Sequence, residues 1–286
     1  MILSTQSLIM QRAYGYENGV RALKRIGFDA YDFTMFDMAE QPDDPMTRAD
    51  FRETCRSLRK AADEAGILCN QTHAPFPSRK ADDAAWNGVI FDYLARSVEI
   101  TSLLGGNVCV IHPCNDYTAE QNAELLYRPL EKHARKFGVK IALENMWNFS
   151  RQANKAVPCA CSTAEDFLKH LDLLDPEYFV ACLDIGHAEM LGDCVSAAEL
   201  IRALGPRLQA LHVHDNDRAH DWHTFPYAGN IDWEPVYAAL REIRYAGELT
   251  FEAGLGIMKF PPELQYDATV LLHAIGRYMI SRIENE

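Results

Sequence analysis

The chain has 286 residues, 48% of them hydrophobic, and 41 acidic residues against 28 basic ones give a net charge of -13. That length suits one large domain or two small ones, and no apolar run approaches the ~18 residues of a membrane span. A surface this acidic repels phosphate backbones, so nucleic acid is not an expected partner, and neither is a membrane.

The N-terminal stretch from Met1 to Leu8 has no basic region and no signal-peptide shape, which predicts a cytoplasmic protein. Eight cysteines are present, none in a CxxC pair. Cys69, Cys109 and Cys182 sit in apolar strand-like runs, where a thiol packs as a small hydrophobe. Without an export signal, the thiols read as reduced. Cys159 and Cys161 read as a loop coincidence ahead of a stray metal site.

A pattern of strand, loop, helix, glycine and strand repeats along the chain. Ile2 to Leu8 is the first apolar run. Asn18 to Ile26 reads as helix ending at Gly27, and Phe28 to Phe33 as the second strand. Thr47 to Ala65 is helical up to Gly66, before the third strand, Ile67 to Thr72. In Ala84 to Leu104 the positions Trp86, Val89, Ile90, Tyr93, Leu94 and Val98 have helical spacing. Gly105 and Gly106 close it, and Val108 to Ile111 is the fourth strand.

Thr118 and Gln121 form a capping box that opens a helix running to Phe137, with Gly138 behind it. Val139 to Leu143 is the fifth strand. Further capping boxes, Ser162 with Glu165 and Ser196 with Glu199, flank the sixth, Phe179 to Leu183. Pro206 ends the next helix before the seventh strand, Leu208 to Val213. Trp233 to Tyr245 is helical and stops at Gly247; Leu249 to Phe251 is the eighth strand. A last helix runs from about Pro262 to Arg282.

Eight strand–helix units, with short, continuously apolar strands, predict one (β/α)8 barrel over residues 1–286. A doubly wound open sheet is the other α/β option. It usually carries a Gly-rich loop after the first strand, where this chain has Gln11-Arg12-Ala13-Tyr14-Gly15. The long irregular pieces, Met38 to Met46, Asn145 to Cys161 and Asn216 to Asn230, all follow strands, on the face where a barrel keeps its active site.

Polar residues recur at the strand ends: His73, His112, Glu144 with Asn145, Asp184 with His187, His214 and Glu252. Strand residues two apart share a face, so His212 and His214 point the same way. Asp221 and His223 add a second Asp-x-His pair in the following loop. Imidazoles and carboxylates converging on one barrel mouth suit a divalent metal. The plainer reading of each alone is a solvated carboxylate or a histidine bonded to backbone. Buried acids, however, need a partner to stay charged.

These motifs (Leu143-Glu144-Asn145, Leu183-Asp184-Ile185-Gly186-His187, His212-Val213-His214, Asp221-Trp222-His223 and Phe251-Glu252) resemble the xylose isomerase-like barrel superfamily. That group holds sugar isomerases and epimerases, inosose-type dehydratases and the endonuclease IV branch. The resemblance to ketose 3-epimerases implies one divalent ion (Mn, Mg, Co or Zn) on Glu144, Asp184, His214 and Glu252, with His212 as the alternative histidine. It implies that Glu144 and Glu252 act as acid and base. It makes His187 and Arg218 substrate contacts, and His73, His112 and His223 also fall at substrate-facing positions. Two departures stand out. The family's Pro-x-Gly-Glu-Gly after the histidine-rich loop is replaced by Phe225-Pro226-Tyr227-Ala228-Gly229-Asn230. His73, His112, His187, Asp221 and His223 also match the extra zinc ligands of the nuclease branch.

The expected function is therefore metal-dependent isomerisation or epimerisation of a sugar by proton transfer through an enediolate. The alternatives are a dehydratase or lyase using the same intermediate, a multi-zinc phosphodiesterase, and a non-catalytic sugar-binding barrel. The expected partner is a small sugar-derived molecule. A homo-oligomer is an assembly the residues leave open.

Overall fold

The computed structural model describes residues 1–41, 43–192 and 195–284. Eight strands build the central sheet: β1 (Ile2–Gln6), β2 (Ala30–Thr34), β3 (Leu68–His73), β4 (Val108–Ile111), β5 (Lys140–Glu144), β6 (Phe179–Asp184), β7 (Leu208–His212) and β8 (Glu248–Phe251). Each pairs in parallel with the next from β1 to β7, and β8 pairs back onto β1. The seam between β7 and β8 is closed just beyond the strand ends. Val213 N donates to Thr250 O at 2.9 Å, and Glu252 N donates to Val213 O at 3.1 Å. The predicted (β/α)8 barrel is the observed architecture.

Alternation along the strands sorts the side chains. On β4 to β7, Val108, Val110, Ala142, Val180, Cys182 and Ala210 form their own small buried cluster. The intervening residues, such as Cys109, Ile111, Ile141, Leu143, Ala181, Leu183 and Leu211, join the large core shared with the helices. The small cluster is thus the barrel interior, and the large core lies between barrel and helix ring. Each helix buries a stripe on that core. In Tyr16–Ile26 it is Gly19, Val20, Ala22, Leu23 and Ile26, the three-and-four spacing of one helix face.

The predicted glycine stops hold at Gly66, Gly105 and Gly138, each in the left-handed conformation that L side chains resist. Several boundaries differ from expectation. Leu8 opens a helix, Leu8–Tyr14, rather than ending β1. The helix before β3 starts at Phe51, not Thr47. The Thr118–Gln121 capping box is present, but the helix it opens has a π turn at Ala123–Tyr127. Thr163, not Ser162, caps the next helix by accepting from Asp166 N; Ser162 instead bonds Cys159. Ser196 holds the N-cap position of Ala197–Leu204 with no side-chain cap bond. Trp233–Glu242 ends before Gly247, the chain turning at Arg244 with φ 54°.

The segment expected to be irregular after β5 contains an antiparallel hairpin, Trp147–Ser150 with Lys155–Pro158. The seven described cysteines are free thiols; Cys194 lies outside the described residues. Among the described residues, no helix is long and apolar enough to cross a membrane.

Candidate metal centre

The period of two that puts Ala142, Cys182 and Ala210 inside the barrel also points Glu144, Asp184 and His212 inward, at the carboxyl ends of β5, β6 and β7. His73 ends β3, His112 follows β4 and Glu252 follows β8. His187 comes in from the short helix Ile185–Glu189, whose N-cap is Asp184. Its Gly186 is required: a Cβ there would meet His214 Cε1 at 2.0 Å. Asp221 and His223 enter from the loop after β7. Asp215 pins that loop by accepting from Asn216 N, Tyr227 N, Ile231 N and Trp233 Nε1. A Cβ on Gly229 would meet Asn216 O and Asp215 Oδ1 at 2.3 Å, so the loop without the family's Glu is held shut by Asp215.

The ligand-type atoms meet in three overlapping groups: His73, Glu144, His212 and Glu252; Glu144, Asp184 and His187; and His187, His214, Asp221 and His223. Glu144 Oε2 lies 3.4 Å from His73 Nε2, 3.2 Å from His112 Nε2 and 3.2 Å from His212 Nδ1. Glu252 Oε2 is 2.8 Å from His212 Nδ1. His214 Nε2 lies 3.0 Å from Asp184 Oδ1. His187 and His223 present their Nε2 atoms to Asp221 at 3.5 and 3.1 Å. The sequence-derived quartet thus sits across these groups: Asp184 with His214, and Glu144 with Glu252 through His212.

The other ring nitrogens are tied down. Nδ1 of His73, His187 and His223 lies 3.0, 3.0 and 2.8 Å from the carbonyl oxygens of Ala74, Asn145 and Glu252. A carbonyl can only accept, so each Nδ1 carries a proton, and each Nε2 faces the centre and offers a lone pair whenever its ring is neutral. His212 is turned the other way, with Nε2 3.5 Å from Asp32 Oδ2 and Nδ1 inward. Outer partners of this kind fix the tautomer of metal-binding histidines.

The inward atoms lack hydrogen-bond partners: both oxygens of Glu144, Asp184 Oδ2, His212 Nδ1, His214 Nε2, Asp221 Oδ1 and Glu252 Oε2 are buried and unsatisfied. Leaving buried polar atoms unpaired is costly, and one cation satisfies several at once. The spacings agree. Bonds of ~2.0–2.1 Å to a tetrahedral ion set ligand–ligand edges of about 3.3 Å, and His73 Nε2, His112 Nε2 and Glu144 Oε2 are 3.0, 3.4 and 3.2 Å apart. The residues therefore fit a divalent metal.

Burial opposes charge on every group here, and the neighbours decide the outcome. Against burial, His212 and His112 hold the Glu144 carboxyl well below the usual range, and His187 and His223 do the same for Asp221. Burial pulls His223 down, but the Asp221 carboxylate, 3.1 Å from its Nε2, pushes it up to about 9. His112 is left below its ordinary value, burial outweighing Glu144. Without a metal, protons shared between imidazoles and carboxylates balance the site.

Above the cluster opens a cleft of about 400 Å³. Glu144, His187, Asp221, His223 and Glu252 line its floor, and Trp147, Asn148 and Phe149 of the hairpin form one wall. Phe76 lies at its edge, stacked on His112 with ring centroids 4.9 Å apart. Of the substrate contacts implied by resemblance, His112, His187 and His223 line this cleft, and His73 lies beneath it, 1% exposed. Arg218 does not line it; its guanidinium is 3.7 Å from Glu189.

Three participants went unnoticed in the sequence. Gln6 donates to Glu252 Oε1 at 2.6 Å, Asp32 backs His212, and Phe76 covers His112. Gln6, the last residue of β1, and Asp32, in the middle of β2, carry a weak signal as polar residues in buried strands. Phe76, in a Pro-Phe-Pro loop, carries none.

The sequence pattern of the xylose isomerase-like TIM barrel matches residues 20–270. The chain belongs to this family. One relative, uncharacterized protein y4fM of Sinorhizobium fredii, is 28% identical over 56% of this chain. The matched region spans 51% of that relative. Among solved structures, IolI protein with a bound zinc atom superposes with a TM-score of 0.75 at 16% identity, covering 100% of both chains. A D-tagatose 3-epimerase-like protein gives 0.73 at 20% identity, over 99% of this chain and 100% of that one. At these identities the likeness is one of fold.

Proposed function

We propose that the protein is a divalent-metal-dependent sugar isomerase or epimerase that moves a carbon-bound proton beside a carbonyl, through an enediolate. The observation that carries this reading is the pair of carboxylates, Glu144 and Glu252. They come from opposite parts of the barrel, approach the same His212 nitrogen at 3.2 and 2.8 Å, and line one cleft. The fold shared with a D-tagatose 3-epimerase-like protein and with zinc-bound IolI supports it.

Glu144, Asp184, His214 and Glu252 would hold the ion, with His212 placed to join or replace His214. A set rich in oxygen suits Mn, Mg or Co, and zinc is also compatible. When bound, the cation supplies the electrophile that takes up charge developing on a substrate oxygen. Glu144 and Glu252 then divide the proton work: one removes it, and the other returns it to the opposite face or the neighbouring carbon. Gln6 holds Glu252 Oε1, which leaves Oε2 facing His212 and the centre. The cleft histidines His112, His187 and His223 are placed to bond sugar hydroxyls. The test is conversion of, or solvent-proton exchange into, a ketose by the metal-loaded protein.

A second reading, a multi-metal phosphodiesterase, is favoured by the ligand groups beyond the quartet, His73–His112–Glu144 and His187–Asp221–His223. The net charge of -13 opposes a nucleic-acid substrate. A dehydratase would share the same proton abstraction and differ only in what leaves.

A further inference from the structure

A second cavity, of about 410 Å³, adjoins the cleft and shares Phe76, His112, Asn115 and Met146 with it as walls. Its remaining lining differs in chemistry, with Ser78, Arg79, Lys80 and Tyr117 from the loops after β3 and β4. This wall brings positive charge beside His112 on the cleft's rim.

Arg79 is half-buried. Its Nε donates to Tyr117 Oη at 3.3 Å, and among the described residues it has no carboxylate ion-pair partner. Lys80 likewise has none; its Nζ lies 3.9 Å from the centroid of the Trp86 ring. Arg12, on the other side of the cleft, is the contrast. It lines a neighbouring cavity but is already neutralised by Asp37 and Glu40. Ser78 adds an independent sign. It is 4% exposed and its buried hydroxyl has no hydrogen-bond partner. An unsatisfied buried hydroxyl is costly unless something completes its bonds. Asp116 lines the same cavity and offsets one of the two positive charges, which leaves one in excess.

We infer that this cavity is a subsite for an anionic group, a phosphate or a carboxylate, at the end of the substrate remote from the reacting carbon. The inference rests on the proposed sugar chemistry for what the rest of the substrate is. The guanidinium offers its terminal N–H groups as a fork matched to two anionic oxygens. The Ser78 hydroxyl donates a further bond. Tyr117, which accepts from Arg79, keeps its own proton to donate. Substrate length follows: one end lies over Glu144 and Glu252, and the other passes His112 and Met146.

The test has two arms on metal-loaded protein. In the first, the Arg79 side-chain Nε signal of 15N-labelled protein, assigned with Arg79→Lys, is followed while inorganic phosphate or acetate is added. A saturable shift, weakened in Ser78→Ala and Lys80→Met, is expected. In the second, KM is compared for a ketose with a terminal phosphate, one with a terminal carboxylate, and a neutral ketose. Arg79→Met should raise KM for the preferred anionic ketose about tenfold relative to the neutral one, with Arg79→Lys in between. The preferred anion identifies the group. An unmoved Arg79 signal, or equal effects on charged and neutral ketoses, would overturn the subsite. If no ketose is turned over, the first arm still decides the subsite, and the sugar reading fails separately.

Discussion

The Nε2 atoms of His73 and His112 face each other at 3.0 Å, and both reach Glu144 Oε2. His73 holds an Nδ1 proton against the Ala74 carbonyl, so when the ring is neutral its Nε2 brings only a lone pair. His112 can give one proton to that lone pair, but the close carboxylate then stands unpaired. A cation resolves all three at once.

Metal content should follow from this. Protein purified without chelator is expected to carry divalent metal. Asp184→Asn and Glu252→Gln should each lose it, with the circular dichroism of the fold retained. His112→Ala separates one ion from several: it leaves the content unchanged if only the quartet binds, and lowers it by about one equivalent if the His73–His112–Glu144 group holds its own ion. Full occupancy in both carboxylate variants would remove the assignment.

Proton release gives a second handle. In the metal-free protein Asp221 raises His223 to about 9, so at neutral pH the imidazole is charged. A metal needs the neutral ring. If the His187–Asp221–His223 group takes an ion of its own, metal addition near pH 7 should release a proton from His223, and affinity should rise with pH towards about 9, where that ring is half-neutral; with the quartet's ion alone, His223 keeps its proton. Calorimetry in buffers of different ionisation enthalpy counts the protons. His223→Ala should lower the count; an unchanged count would show that His223 keeps its proton and is no ligand.

Gly186 is a packing prediction. A Cβ at this position falls within 2.0 Å of the His214 ring, and both His214 and the short helix are buried. Gly186→Ala should displace His214, cost about 1–3 kcal/mol of stability and weaken metal binding. Denaturant unfolding with and without metal measures both. Wild-type stability together with wild-type metal affinity would mean that His214 has room to move without consequence.

How much of this was legible follows from what patterning encodes. Eight strands could be counted because β-strands buried on both faces read as apolar runs, and glycine marks most helix ends. The extent of β1 was misjudged because Leu8, Ile9 and Met10 continue its apolar run while already turning into a helix. The hairpin is not legible because Trp147–Ser150 borders the cleft and buries no alternating face. Strand ends delivered Glu144, Asp184, His73 and His112 because an acid or imidazole closing an apolar strand is conspicuous. Alternation puts His212 and His214 on one face; only the coordinates show that His212 meets Glu144 and Glu252 while His214 meets Asp184. The role of Asp32 and Gln6 likewise depends on which neighbours the closed barrel brings across from β7 and β8.

The choice between sugar and nucleic acid can be made directly. At near-physiological salt the protein should not bind duplex DNA, and an oligonucleotide with an abasic site should stay intact with Mn2+ or Zn2+ supplied. Multiple-turnover cleavage would favour the multi-metal hydrolase and recruit His73, His112, Asp221 and His223 as ligands of further ions.

The central claim is proton transfer between Glu144 and Glu252 beside a carbonyl. Its most direct measurement is a panel of ketoses, ketose phosphates and inososes in D2O with Mn2+, Mg2+, Co2+ or Zn2+, following both carbon-bound deuterium and product. One substrate is expected to gain deuterium or be converted. Glu144→Gln and Glu252→Gln should each lower turnover at least ~100-fold, while His133→Ala, on the helix Arg128–Phe137 away from the cleft, should not. Absence of exchange and conversion across the whole panel, or full activity in either glutamine variant, would contradict the account.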